Sequence, residues 1–111
     1  MKKSARARQF TPKAREEIYA RDRGCIFCDK EYHMEKADYF MLNILEVMHV
    51  VPKSQGGLGV ATNGVLGCKY HHTMMDNGNE GLRDEMIDFC KEYLGQQYDG
   101  WAEADQMYSK W

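Results

Sequence analysis

The apolar residues of the chain recur at two different spacings, which together predict helices on either side of a pair of short strands. One face of the first helix is apolar, because three residues recur at a spacing of four: Phe10, Ala14 and Ile18. Thr11-Pro12 is typical of a helix start, since threonine caps the first turn and proline fits its first position. Gly24 is expected to end this helix.

The middle of the chain predicts two strands joined by a loop. Residues 44–51 are rich in valine and isoleucine, which favours a strand, and Pro52 ends it. A loop that contains three glycines covers residues 53–63, and a second, shorter strand covers residues 64–67. Two strands in this order predict a small hairpin.

Three helical stretches are expected after the second strand. The first is short and ends at Asn77-Gly78. The second is amphipathic, and its apolar face is formed by Leu82, Met86, Phe89, Cys90 and Tyr93. The third is weaker and carries an aromatic stripe of Trp101, Tyr108 and Trp111. We expect this stripe to pack on the core or on a second subunit, the alternative being that it stacks on bases.

The length of 111 residues fits one small domain, whose thin core would benefit from a metal staple. We predict a basic flexible arm at residues 1–9, a central domain over residues 10–80 and a helical extension of the same domain over residues 81–111. No apolar run is long enough to span a membrane, and the basic N-terminus lacks the apolar segment of a secretory signal. The sequence therefore predicts a cytoplasmic protein without disulfides.

Charge is distributed unevenly, although the formal net charge is only −2. Residues 1–23 carry a net charge of +5, and the remaining residues carry −7. A basic segment of this kind can follow a phosphate backbone, and the alternative is a solvated tail. The residues that we expect to contact DNA are Arg6, Arg8, Lys13, Arg15 and Lys53.

The cysteines predict a zinc site built from two turns of matching spacing. Cys25-x-x-Cys28 and Cys68-x-x-His71 together offer three thiols and one imidazole, a donor set that suits tetrahedral Zn²⁺. The alternatives are a redox-active pair at the first turn and plain buried thiols. Cys90, on the apolar face of a helix, is expected in the core.

A second group of polar residues is expected to converge if the strands pair and the following helix packs across them. This group consists of His49, Asn63 and His72. A histidine near neutrality can take a proton from water, an asparagine can orient its ring, and a second histidine can hold a divalent ion. Such an arrangement suits the hydrolysis of a phosphodiester.

Taken together, these motifs resemble the HNH nucleases of the ββα-metal (His-Me finger) class. The resemblance covers roughly residues 10 to 78 and is nearest to the small stand-alone HNH proteins of phages and bacteria. It implies an α+β fold in which a ββα-metal core carries structural zinc knuckles and flanking helices. It also implies that His49 is the general base, Asn63 the orienting residue and His72 a ligand of the catalytic ion. By the same resemblance, the zinc knuckles fall on Cys25, Cys28, Cys68 and His71.

The chain departs from the family's pattern at Met48, where an aspartate or histidine usually ligates the catalytic ion. A thioether is a poor ligand for Mg²⁺ or Mn²⁺, which prefer oxygen. Asp76 lies four residues after His72, on the same helix face, so the two residues could hold Mg²⁺, Mn²⁺ or another divalent ion. The alternative for Asp76 is a helix-ending residue. Strand alternation puts Glu46 on the face opposite His49 and makes it a weaker substitute.

The sequence thus predicts a metal-dependent endonuclease that nicks DNA as a monomer, while a homodimer could cut both strands. We expect it to act in the cytoplasm of a bacterial host cell, encoded by the bacterium or by a phage. The alternative is a catalytically impaired module of the same fold that binds DNA or a phage or host protein, for example a phage accessory or anti-defence protein.

Overall fold

The computed structural model describes residues 3–77 and 81–108, and its helices and strands follow the predicted order. The helices are α1 (Lys3–Ala7), α2 (Pro12–Asp22), α3 (Ile26–Asp29), α4 (Tyr39–Leu42), α5 (Lys69–Asn77) and α6 (Arg83–Gln97). The strands are β1 (Leu45–His49) and β2 (Gly64–Cys68). Short 3₁₀ turns cover Lys53–Gln55, Ala61–Asn63 and Glu103–Gln106. Within the described ranges, no helix is long and apolar enough to cross a membrane.

The first long helix has the predicted start, and its end is one residue earlier than expected. The Thr11 side chain accepts a hydrogen bond from the Ala14 amide at 3.0 Å, and Pro12 is the first helical residue. The last helical residue is Asp22, because Arg23 takes a left-handed conformation with φ of 64° and donates its amide to the Tyr19 carbonyl. Gly24 then leads into the first cysteine turn, where Cys25 caps the single turn of α3.

The two strands form an antiparallel sheet with helices on both faces, so the fold is α+β. The pairing runs from Leu45 opposite Cys68 to His49 opposite Gly64. Alternate residues of the sheet face opposite sides. One face packs on α2 around a small cluster of buried residues: Ile18, Ala61 and Leu66. The other face packs on α3, α5 and α6 in the main core, which includes Met48, Val65, Met75, Met86, Cys90 and Leu94. Helix α5 follows β2 without a break.

Two segments near the chain ends differ from the predictions in the part of the chain that the structure describes. Residues 1–9 are predicted to be a flexible arm, whereas α1 is helical and the segment after it packs on the hairpin: the Gly59 amide donates to the Ala7 carbonyl at 2.9 Å. The predicted third helical stretch is a 3₁₀ turn. Trp101 packs against the main core, and its indole N–H donates to the Thr62 carbonyl at 2.6 Å. Trp111 and Gly78, which the sequence analysis also invoked, lie outside the described residues.

A buried polar network ties α2 to β2 and α6. The Asp22 carboxylate, whose side chain is fully buried, accepts hydrogen bonds from Arg21, from the Leu66 amide and from the Tyr93 hydroxyl. The guanidinium of Arg21 also donates to the Gly64 carbonyl at 2.6 Å. Burial, together with the hydrogen bond to Asp22, raises the pKa of Tyr93 to about 12, so its hydroxyl stays protonated and donates.

Replacing Tyr93 by phenylalanine is expected to lower the free energy of unfolding by about 1.5–3 kcal/mol, because a carboxylate in the interior loses a hydrogen-bond donor. Urea denaturation followed by circular dichroism measures this change. Tyr19→Phe is the matched control, because Tyr19 is 43% exposed, and its effect should stay within about 0.5 kcal/mol. Equal effects of the two substitutions would contradict a stabilising role for the network.

Candidate metal centre and catalytic groove

The four predicted zinc ligands converge on one point between α3, the end of β2 and the first turn of α5. Their ligand atoms, three Sγ and the Nδ1 of the histidine, all lie within 4.8 Å of one another. The distance from Cys28 Sγ to Cys68 Sγ is 3.7 Å, and Nδ1 of His71 lies 3.3–3.6 Å from the three sulfurs. A tetrahedral Zn²⁺ with bonds of about 2.0–2.3 Å needs ligand separations of about 3.5–3.8 Å. The cluster could therefore hold a metal such as zinc.

The surroundings of the cluster orient its donors before a metal binds. The Nε2–H of His71 donates to the Tyr32 carbonyl at 2.6 Å, which leaves Nδ1 as the nitrogen that can accept a metal. The backbone amides of Cys28 and His71 each point at a cysteine sulfur, at 3.4 Å. Phe27, fully buried, stacks on the His71 ring with centroids 5.4 Å apart. A donor set held in this way loses little conformational entropy on binding.

Without metal, the three thiols ionise unequally. The hydrogen bond with Cys68 lowers the pKa of Cys25, and the same bond raises the pKa of Cys68. Burial raises the pKa of Cys28 to about 11. Because metal ligands must be thiolates, uptake of a metal is expected to release protons from Cys28 and Cys68 and to weaken as the solution becomes acidic.

His49 and His72 line the same groove, which has a volume of about 520 Å³ and lies where β1, α5 and the segment before α2 meet. The two rings come from different elements: His49 is the last residue of β1, and His72 lies in the first turn of α5. The remaining residues along the groove include three cations and one carboxylate: Arg15, Lys53, Arg83 and Asp76. The groove therefore combines two imidazoles with a mainly positive lining.

The ring of His49 is held by residues that precede α2. Its Nε2–H donates to the backbone carbonyl of Arg8 at 2.6 Å, and the Phe10 ring packs on it with centroids 4.2 Å apart. Burial lowers the pKa of His49; the bond to Arg8 opposes this shift, and the charges of Lys53 and Arg15 add to it. His49 is therefore neutral near pH 7, and its Nδ1 is the basic nitrogen.

The sequence predicts that the side chain of Asn63 orients His49, but the two side chains are not hydrogen-bonded in the structure. The Asn63 side chain is fully buried and accepts a hydrogen bond from the Val51 amide at 2.8 Å. The same side chain donates to the carbonyls of Val51 and Leu58, at 3.2 and 2.8 Å. Asn63 thus closes the loop between the strands.

The environment of His72 contains two carboxylates, one on each side of the ring. Nδ1 lies 3.1 Å from Glu46 Oε1, and Nε2 lies 3.2 Å from Asp76 Oδ2. Glu46 does lie on the face of β1 opposite His49, as alternation predicts, but this is the face toward α5. It therefore meets His72, and the sequence reasoning undervalued it. The signal that could have identified Glu46 is that it lies two residues before Met48 and therefore on the same face of β1, the face toward α5.

Met48 is among the residues along the groove, but it is 1% exposed and packs in the main core, and its thioether is a poor ligand for Mg²⁺ or Mn²⁺. Its sulfur would lie 2.2 Å from a Cβ added to Gly67 on the neighbouring strand. The Met48 side chain therefore occupies the space that a side chain at Gly67 would need. The donors near His72 are therefore Asp76 and Glu46.

The residues predicted to contact DNA fall into two groups. Arg15 and Lys53 line the groove itself. Arg8 lies beside it, where its guanidinium donates to the Lys53 carbonyl at 3.0 Å, while Arg6 and Lys13 are exposed. Arg83 also lines the groove and donates to the Met75 carbonyl at 3.1 Å. Arg83 was not among the predicted residues, because it lies beyond the motif, at the start of a helix whose pattern indicates only an apolar, core-facing side.

Comparison of the chain with protein-family models, with curated proteins and with solved structures finds no match, so its own residues carry what can be inferred about its function.

Proposed function

We propose that this protein is a metal-dependent endonuclease of the HNH type that hydrolyses phosphodiester bonds of DNA. The observation that carries the proposal is that His49 and His72, which are far apart in the sequence, line one groove together with Arg15 and Lys53. The order of strand, loop, strand and helix around this groove agrees with a ββα-metal core. The Cys₃His cluster at the base of α5 would fix that helix against the hairpin.

His49 is the proposed general base. Its Nε2 carries the proton that is donated to the Arg8 carbonyl, so Nδ1 of the neutral ring is free to take a proton from water. The water oxygen then forms a bond to phosphorus, and the bond from phosphorus to the leaving oxygen breaks. The leaving oxygen takes up a proton from solvent, which balances the reaction.

His72 and Asp76 are the proposed ligands of a catalytic divalent ion. Imidazole nitrogen and carboxylate oxygen suit Mn²⁺ and other first-row ions, and oxygen suits Mg²⁺. When bound, such an ion stabilises the negative charge that develops on the phosphate and on the leaving oxygen. Glu46 accepts the Nδ1–H of His72, which turns Nε2 toward Asp76. These side chains replace the ligand that is missing at position 48.

Basic residues around the groove are expected to hold the DNA backbone. Arg15, Lys53 and Arg83 lie along the groove, Arg8 donates to the Lys53 carbonyl, and Arg6 and Lys13 are exposed and can add to the attraction. Phosphate contacts of this kind release counterions, so retention of DNA should fall steeply with salt. Because each chain carries a single His49, we expect nicks from a monomer and cuts of both strands only from a homodimer.

The proposal predicts that the protein converts supercoiled plasmid to the nicked form in the presence of a divalent ion. The assay compares Mg²⁺, Mn²⁺, Ni²⁺ and Zn²⁺ with a chelator that removes weakly held ions, applied under conditions in which the structural metal is retained. Asp76→Ala is expected to lower the rate by about 10–100-fold while the zinc content stays unchanged, because the ion loses a ligand. Full activity of this variant would remove Asp76 from the site.

One observation favours a second candidate, in which the protein binds DNA without cutting it. Met48 is buried where the family usually has a metal ligand, so the ion would have fewer protein donors than usual. Retention of DNA that weakens with salt, without nicking in any of the four ions, would support this candidate over the first. Absence of DNA retention would instead favour a module that binds another protein.

A further inference from the structure

The residues just before α2 pack directly on His49. The carbonyl of Arg8 accepts the Nε2–H of His49 at 2.6 Å, and the ring of Phe10 lies against the imidazole. Gln9 and Phe10 also line the groove. In consequence, this segment contributes to the walls of the candidate active site, although it lies about 40 residues away in the sequence.

A glycine on the loop between the strands allows the segment to come this close. The amide of Gly59 donates to the Ala7 carbonyl at 2.9 Å, and a Cβ added to Gly59 would lie 2.1 Å from the carbonyl carbon of Gln9. Contacts between backbones at such a distance admit only glycine. The guanidinium of Arg8 donates to the Lys53 carbonyl on the same loop, which adds a second attachment.

We propose that the segment Arg8–Phe10 is a positioning element for His49, and that the close approach at Gly59 holds it in place. This inference rests on the proposed function, because it assigns a role to the segment in proton transfer. The Arg8 carbonyl fixes the Nε2–H form of the ring and its rotation, so that Nδ1 keeps one direction. Phe10 packs on the ring and prevents it from turning away.

This role differs from that of a basic arm that only attracts DNA. Loss of the Arg6 or Arg8 side chain would lower the affinity of the protein for the phosphate backbone of DNA. The Arg8 carbonyl and the Phe10 ring instead act on the rate of the chemical step, since an imidazole that rotates freely spends less time in line with the water. The same short segment thus links the basic surface to the general base.

The test compares Gly59→Ala with Gly95→Ala in the full-length protein. The added methyl group at position 59 meets the backbone of Gln9, whereas a Cβ at Gly95 meets nothing within 4 Å. We expect the single-turnover nicking rate at saturating protein to fall at least about 10-fold for Gly59→Ala and to stay within about twofold for Gly95→Ala. An unchanged or increased rate for Gly59→Ala would overturn the inference, because an increase would mean that the segment obstructs the groove.

A spectroscopic measurement separates this inference from the proposed function. In ¹⁵N-labelled protein, the Nε2–H of His49 should give an exchange-protected imidazole resonance that disappears in Gly59→Ala and persists in Gly95→Ala. This result is expected whether or not the protein nicks DNA, so a failure of nicking in the wild type would overturn only the function. A resonance that persists in Gly59→Ala would overturn the positioning role. If Gly59→Ala does not fold, Phe10→Leu is the second variant, with the same expected loss of rate and of exchange protection.

Discussion

Replacement of His49 by alanine is expected to lower the rate of plasmid nicking by at least about 100-fold, because the water loses the group that takes its proton. The substitution removes a half-buried ring at the end of β1, so zinc content and the far-UV circular dichroism spectrum should remain those of the wild type. His33→Ala is the matched control. His33 is exposed, does not line the groove, and its loss should leave the rate within about twofold of the wild type.

The pH dependence of nicking provides a separate test of His49. A general base works in its neutral form, so the rate should rise with pH through the pKa of His49 and then level off. Burial lowers this pKa below the ordinary value of 6.5, so the rate should reach half of its maximum below pH 6.5. The charged groups that share the groove with His49 are Arg15, Lys53, Arg83, Asp76 and His72. A half-maximal rate above pH 6.5, or the same pH profile in His49→Ala, would contradict the assignment.

Removal of the metal from the Cys₃His cluster is expected to unfold the domain. The cluster joins α3 to the end of β2 and the start of α5; Cys25 and Cys68 belong to the main core and Cys28 packs against it. Structural Zn²⁺ in small domains supplies apparent binding free energy on the order of 10 kcal/mol, which is comparable to the whole stability of such a domain. A strong chelator should therefore abolish the cooperative thermal transition, and added Zn²⁺ should restore it.

A pair of cysteine variants distinguishes the metal from simple packing. Cys68→Ala removes a ligand and should reduce the zinc content, measured by mass spectrometry of the native protein, to below half of the wild-type value. Cys90→Ala removes a thiol that is equally buried but lies outside the cluster, and it should keep one zinc per chain with a loss of about 1–2 kcal/mol in stability. If the chelated protein keeps its thermal transition, the cluster is not a structural metal site.

The Cys₃His cluster was predictable from the sequence because each half of it lies within one turn of the chain. Two donors separated by two residues lie on one turn, so each half of the site is determined by spacing alone. That the halves meet needs only the hairpin and the helix that follows. The hairpin was predicted from residues rich in valine and isoleucine on either side of a glycine loop, and the helix from its end at Asn77-Gly78. The start of α2 at Thr11-Pro12 was confirmed for the same reason, since a helix cap depends on residues within one turn.

Contacts between segments that are distant in the chain could not be predicted from the sequence. Periodicity indicated that Glu46 and His49 lie on opposite faces of β1, but whether Glu46 is near a functional residue depends on where α5 crosses the sheet. Likewise, asparagine at position 63 suggested a hydrogen bond to the general base, whereas packing of the loop directs its amide to Val51 and Leu58. The hydrogen-bond partners of such side chains depend on how whole helices, strands and loops are rotated and spaced in the fold.

The sequence by itself determined the donor set of the metal cluster, the order of the elements and the two histidines that the proposed nuclease needs. Only the tertiary structure decided that residues 3–9 pack against the hairpin, since their charge predicts solvation and nothing in their composition reveals Gly59 as a partner. It also decided which group orients His49. A backbone carbonyl, such as that of Arg8, is present in every residue, so no sequence pattern can single it out before the chain has folded.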